Sequence, residues 1–197
     1  MDCLLTGIGG QGIVFASKLI SQTAINKGLR VRTAETIGMA QRGGSVVSHV
    51  RIGDETFSPL LGLRSAEVIV AFEPGEAARV YPYLAPGGAM ILCDKGQQSP
   101  ADALLKKSYY PNSYIDALKE SGSQVYVVQG DAIIDALSTS KVLNVALVGA
   151  ACASGNLGLT YDELEKTIHQ IAPEKFIDLN ISALKIGYES IKSATIK

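Results

Sequence analysis

Near its start the chain reads Cys3-Leu4-Leu5-Thr6 and then Gly7-Ile8-Gly9-Gly10-Gln11-Gly12, with four glycines in six residues. A short apolar run leads in. A stretch with apolar residues at helical spacing, Ile13, Ala16, Ile20 and Ala24, leads out and stops at Gly28. This pattern predicts a buried strand over 2–6, a glycine turn, and a helix over 13–26. A second strand is expected over 29–36, which makes a strand–helix–strand unit with a right-handed crossover and parallel strands. A glycine turn between a strand and a helix leaves backbone N–H groups free at a helix N-terminus, where an anion is welcome. It also admits another backbone, since no Cβ stands in the way.

Gly7-x-Gly9-x-x-Gly12 has the spacing of a dinucleotide fingerprint, and Glu35 ends the second strand where an acid would take a ribose hydroxyl. Against that reading, Gly10 and Gln11 put an extra glycine and an amide at the tightest part of the loop. No second dehydrogenase half and no His–Asp or Tyr–Lys arrangement follows. Three uses stay open on the residues alone: NAD or FAD binding, a packing turn, or close approach by a ligand or partner.

The rest of the chain continues to alternate. Residues 37–44 break the pattern with glycine and polar residues. The run Ser45 to Ile52 then alternates as a half-buried strand, and Thr56-Phe57-Ser58 is expected to begin a hairpin return. Strands are expected over 66–72, 89–93 and 124–129, with a turn at Pro86-Gly87-Gly88. Helices are expected from Pro74 to about Leu84 and over 113–121, 131–137, 144–154, 161–171 and 180–191. The helix beginning at Asn144 is apolar nearly all round and should be buried. Thr160-Tyr161-Asp162-Glu163 has capping-box spacing. Residues 95–112 carry no clear signal. The fold class this implies is α/β: one three-layer sandwich domain over 1–197, a mostly parallel (mixed) sheet, and a helical C-terminal third.

Composition removes several function classes. A net charge of −1 gives no basic excess for nucleic acid, and no apolar run is long enough to span a membrane. The N-terminus lacks a basic leader, so a cytoplasmic protein is expected. Cys3, Cys93 and Cys152 are far apart in apolar runs and read as buried small hydrophobes. Without a C-x-x-C pair, no metal site or cluster is expected from this chain alone.

The second informative stretch is Met39-Ala40-Gln41-Arg42-Gly43-Gly44-Ser45. Arg42 between an amide and two glycines suits a bidentate carboxylate or phosphate contact, or an ion pair with an internal acid. His49 reads as a core or surface histidine rather than a proton carrier.

Taken together, Gly7–Gly12 and Gly38-Met-Ala-Gln-Arg-Gly-Gly-Ser-Val-Val-Ser-His-Val-Arg51 resemble the gamma-type subunit of 2-oxoacid:ferredoxin oxidoreductases, nearest to the indolepyruvate form. Phe72-Glu73-Pro74-Gly75-Glu76-Ala77, Tyr83-Leu84, Asn144, Gly149-Ala150 and Asn180 to Gly187 extend the resemblance along the chain. It implies an accessory subunit, inactive alone, of an anaerobic-type complex. A larger partner subunit would carry thiamine diphosphate, Mg and [4Fe–4S] clusters. There a 2-oxo acid, an arylpyruvate such as indolepyruvate rather than pyruvate, becomes an acyl-coenzyme A while ferredoxin takes the electrons. No catalytic residue and no metal ligand is expected in this chain. Its site residues, for cofactor or subunit contact, are Gly7, Gly9, Gly10, Gln11 and Gly12 with Met39, Gln41, Arg42, Gly43, Gly44 and Ser45. Both loops should leave the carboxyl ends of neighbouring parallel strands, on one edge of the sheet. The alternatives are a free-standing NAD/FAD-binding protein and a non-catalytic ligand-binding module.

Overall fold

A computed structural model describes residues 1–35, 43–54, 58–98, 103–106 and 108–195. Six strands form one mixed sheet: β1 (Asp2–Ile8), β2 (Val31–Glu35), β3 (Ser45–Ile52), β4 (Ala66–Ala71), β5 (Leu84–Cys93) and β6 (Gln124–Val128). Their spatial order is β2-β3-β1-β4-β5-β6. Strands β1, β4, β5 and β6 are parallel neighbours, whereas β3 runs antiparallel to both β1 and β2. Among the described residues the helices are α1 (Ile13–Asn26), α2 (Pro74–Val80), α3 (Pro111–Glu120), α4 (Gly130–Leu137), α5 (Leu143–Ala153), α6 (Tyr161–Ile171) and α7 (Ile177–Thr195).

The sheet is buried on both faces, and the strand period of two divides its side chains between two cores. Cys3, Leu5, Val68, Val70, Ile91 and Cys93 point into the larger core, which α1 and α4–α7 cover. Leu4, Ile69, Ala71, Met90 and Leu92 point into the smaller one, under α2 and α3. This is the expected three-layer α/β sandwich with a helical C-terminal part.

Several elements end as their sequence dictates. Gly28 takes a left-handed φ of 80°, and Leu29 N bonds Ala24 O at 3.0 Å, so α1 closes in a Schellman turn. Thr160 and Glu163 form the capping box that starts α6. The expected helix over 180–191 is longer, from Ile177 to Thr195.

Three expectations are corrected. First, β1 and β2 share a direction but are not neighbours, because β3 lies between them. Strand order is settled by long-range pairing, which local periodicity does not report. Second, β3 is not half-buried. With a strand on each side, Ser48 and His49 are 0% and 8% exposed. Ser48 Oγ meets Ser17 Oγ at 2.9 Å, and neutral His49 Nδ1 accepts Leu61 N–H at 3.2 Å, so both polar groups are satisfied within the protein. Third, Pro86-Gly87-Gly88 does not break the chain. Strand β5 runs through it with a register shift opposite Ala66 and Val68. A Cβ on Gly88 would come within 2.9 Å of Ala66 O, which explains that glycine. Of the expected hairpin return, Thr56 and Phe57 lie outside the described residues, and Ser58 belongs to no strand.

Candidate functional site

The carboxyl ends of β1, β4, β5 and β6 open onto one edge of the sheet, and the glycine loop sits there. Gly12 is the residue that turns the chain into α1. It adopts φ 79°, and no side chain caps the helix behind it. The first amides of α1 therefore stay available at the loop. Gly10 is also left-handed, with φ 104°, and its Cβ position looks into open space.

Gln11 is the organiser of the loop. Its Oε1 accepts Ile8 N–H at 2.7 Å, and its Nε2 lies 3.5 Å from Phe72 O and 3.4 Å from Gln97 Oε1. One amide thus ties the ends of β1 and β4 to the segment after β5. Gly7 makes room for it: a Cβ there would stand 2.5 Å from Gln11 Oε1. Gly12 has a similar neighbour in Asn144, whose Nδ2 donates to Gly12 O at 3.0 Å and would collide with a Cβ. Asn144 Oδ1 accepts Val145 N–H at 2.9 Å, so the side chain that fastens the loop also serves the start of α5.

The second loop reaches the same place. Met39, Gln41 and Arg42 lie outside the described residues. Gly43, Gly44 and Ser45 are described, and Gly9 N donates to Gly44 O at 2.9 Å. The two glycine loops therefore touch through their backbones, just beyond the Ile8–Ser45 pair that ends the β1–β3 ladder, although β1 and β2, the strands they follow, are not adjacent. The antiparallel direction of β3 explains this: its start lies at the same edge as the ends of β1 and β2. Ser45 Oγ donates to Glu76 Oε2, and the same carboxylate oxygen pairs with Arg79 Nε at 3.3 Å.

Between these parts lies a cleft of about 560 Å³. Gly9–Gly12 and Phe72 form one wall, and Lys95, Gly96 and Gln97 another. Ile134, Ser140, Lys141 and Leu143 close it from α4 and the start of α5. Lys95 is paired with Asp131, which raises its pKa above the ordinary lysine value and keeps it cationic. Beside the cleft, Glu73 is 2% exposed and caps α2 by accepting Glu76 N–H at 2.8 Å. Burial raises its pKa.

Sequence reasoning singles out the two loops but misses the opposite wall. Lys95 and Gln97 fall in the stretch without a signal, and Lys141 in a connection between helices. What marks them is position: Lys95 and Gln97 follow the carboxyl end of a parallel strand, where open α/β sheets place ligands.

The geometry departs from a dinucleotide site at two points. Glu35 is separated from the glycine loop by β3 and receives Ser48 Oγ at 3.5 Å. Gln11 fills the crook of the loop. The cysteines are buried and unpaired. Desolvation pushes the thiols of Cys93 and Cys152 up to about 11 and that of Cys3 higher still. Such thiols are poor ligands and nucleophiles. Among the described residues no group of His, Cys, Asp and Glu is placed to hold a metal ion, and no helix is long and apolar enough to cross a membrane.

Comparison with known proteins agrees with the resemblance. The family described as pyruvate ferredoxin/flavodoxin oxidoreductase matches residues 2–190. Indolepyruvate oxidoreductase subunit IorB of Archaeoglobus fulgidus is 35% identical over 95% of this chain and 94% of its own. That of Pyrococcus horikoshii is 32% identical over 97% and 96%. Among solved structures, the gamma subunit of a keto/oxoacid ferredoxin oxidoreductase from Geobacter sulfurreducens superposes with a TM-score of 0.71. It shares 21% identity, and 98% of each chain is covered. A 2-oxoglutarate:ferredoxin oxidoreductase from Magnetococcus marinus, solved with 2-oxoglutarate, coenzyme A and succinyl-CoA, contains the same fold in 31% of a longer chain. It superposes with a TM-score of 0.72, at 19% identity and over 98% of this chain. Sequence match along nearly the whole chain and shared architecture together make this chain a member of the pyruvate ferredoxin/flavodoxin oxidoreductase family.

Proposed function

We propose that this chain, as one gamma-type domain over residues 1–197, is the accessory subunit of a cytoplasmic 2-oxoacid:ferredoxin oxidoreductase acting on arylpyruvates such as indolepyruvate. The relatives named for indolepyruvate support the substrate class. The larger partner subunit would hold thiamine diphosphate with Mg and the [4Fe–4S] clusters, which together supply decarboxylation and electron transfer to ferredoxin. The residues here do not fit a cluster: the described cysteines are isolated and buried. No step of the chemistry is assigned to this chain.

The observation that carries the reading is the backbone bond from Gly9 N to Gly44 O, which joins the two family-like loops beside one cleft. Those loops, with Gly7, Gly9, Gly10, Gln11 and Gly12 on one and Met39, Gln41, Arg42, Gly43, Gly44 and Ser45 on the other, form the face toward the catalytic subunit and the coenzyme A route. Uncapped α1 amides and two lysines suit the anionic groups of coenzyme A.

Co-expression with the large subunit should yield one brown, iron-containing complex. Within it, Arg42→Ala and Gln11→Ala should each lower turnover or raise the KM for coenzyme A by about tenfold, on the order of 1.4 kcal/mol. Unchanged assembly and kinetics in both variants would discard the assignment.

A further inference from the structure

Two carboxylates lie buried at the start of α2: Glu73 is 2% exposed and Glu76 6%. Glu73 Oε2 accepts Glu76 N–H, while Glu73 Oε1 is buried without a hydrogen-bond partner. Glu76 Oε2 accepts Ser45 Oγ and pairs with Arg79 Nε at 3.3 Å. Ser45 opens β3 opposite Ile8, and Gly44 O beside it takes Gly9 N–H. Glu76 therefore ties the junction of the two glycine loops to α2, and its own backbone hangs on Glu73. The surroundings of Glu73 offer little to a second negative charge. From α2 it meets the opposing charge of Glu76 and the amides of Gly75 and Glu76; from the segment after β5 it meets the amide of Gln97. Lys95 of that segment is turned to Asp131, and Arg79 is paired with Glu76. Tyr109, ahead of α3, uses its hydroxyl oxygen to accept Gly75 N–H at 3.2 Å. A carboxyl so placed keeps its proton more readily than an exposed one.

We propose that Glu73 and Glu76 form a one-proton latch on the junction of the two glycine loops. With Glu73 neutral, Glu76 carries the single charge, is held by Arg79 and grips Ser45. When Glu73 ionises, two like charges share the start of one helix, and Glu73 Oε1 still has no donor. Opening of the first turn of α2 relieves both, draws Glu76 away from Ser45 and frees the start of β3 from Gly9. One proton balances the change: it leaves Glu73 for solvent on release and returns on closure. Burial raises the Glu73 pKa in the closed form, so the proton favours closure. The latch is closed below the Glu73 midpoint and opens above it. A difference of about one unit between the closed and open pKa values changes the latch equilibrium about tenfold. The inference concerns contacts inside this chain and does not depend on what the loops recognise.

Carboxyl carbon-13 shifts of the unaltered full chain report Glu73 directly, and hydrogen-exchange protection of the Gly9 amide reports the junction. Glu73 should titrate above the ordinary glutamate value of about 4.3. Gly9 protection, corrected for intrinsic exchange, should fall at least about tenfold across the same midpoint. Glu73→Gln should keep the junction closed and leave Gly9 protection flat over that range. Glu76→Gln should lower the Glu73 midpoint by removing the like charge. Ser45→Ala keeps both carboxylates and cuts the link, so Glu73 should still titrate high while Gly9 protection no longer follows it. A Glu73 midpoint at or below the ordinary value overturns the proposal on the unaltered chain alone. So does Gly9 protection that ignores the Glu73 midpoint, or a Gly9 step that survives in Glu73→Gln or in Ser45→Ala. No partner subunit enters these readouts, so their failure leaves the assigned function standing.

Discussion

At the scale of single residues, Glu73 is the most constrained. It closes β4, caps α2 and is almost wholly buried, with Oε1 left without a partner. Desolvation raises its pKa, and the amides of Glu76, Gly75 and Gln97 oppose that only in part. The folded state therefore holds the proton more readily than the unfolded chain. Stability from this group is present at low pH and is lost as pH rises through the elevated folded pKa. Glu73→Gln keeps an acceptor for Glu76 N–H and removes the buried charge. Its Tm should exceed that of the unaltered chain at about pH 8, with the gain shrinking toward the ordinary glutamate range. A gain of equal size at every pH would mean that the charge is not its source. Little of this is legible in the sequence, where Glu73 is one acid ahead of a proline. Gln11 is more legible: an amide at the tightest point of a glycine turn is unusual, and the structure gives it three tethers. Lys95 and Lys141 are not legible, since only the folded sheet edge brings them to the loop.

At the scale of elements, α5 and α7 show why two glycines sit in helices. A Cβ on Gly149 would fall 2.1 Å from Leu184 O, and one on Gly187 would fall 1.8 Å from Ala146 O. The two helices thus cross with their backbones in contact, and no side chain yields to relieve a clash. Gly187→Ala should cost about 3 kcal/mol, the upper end for overpacking, and lower Tm by on the order of 10 °C. A loss within about 1 kcal/mol would mean that the crossing can open without penalty. The sequence announces α5 as buried through its apolar residues on every side, and the partner helix through its own periodicity. It does not announce that they meet. The position of β3 is hidden for the same reason: its alternating pattern describes a strand with one wet face, while its real neighbours on both sides are chosen by pairing over distance.

At the scale of the molecule, the two cores are unequal. The larger contains the sheet face under α1, α5, α6 and α7, and the smaller rests on α2 and α3. Helix α3 contributes only Ile115 and Leu118 to burial, and the nearby Leu104, Leu105 and Tyr110 stand 67–84% exposed. Native-state hydrogen exchange should therefore find α3 opening at a lower free energy than α5, by several kcal/mol. Equal protection in the two helices would show a single cooperative unit. The layer architecture itself is readable from strand–helix alternation, because each element must bury an apolar face.

The antiparallel strand has one more consequence. Since β2 ends and β3 begins on the same edge, with Glu35 paired to Ser48 and Ser45 to Ile8, both ends of the connection between them are anchored in the sheet. Doubling the length of such a connection costs only about 0.6 kcal/mol in closure entropy. Insertions between Glu35 and Gly43 should therefore cost the fold little, with the strands on either side keeping their register, which Tm values of a loop-length series would check. A change in that connection would then alter the recognition proposed for this edge without asking the rest of the fold to move.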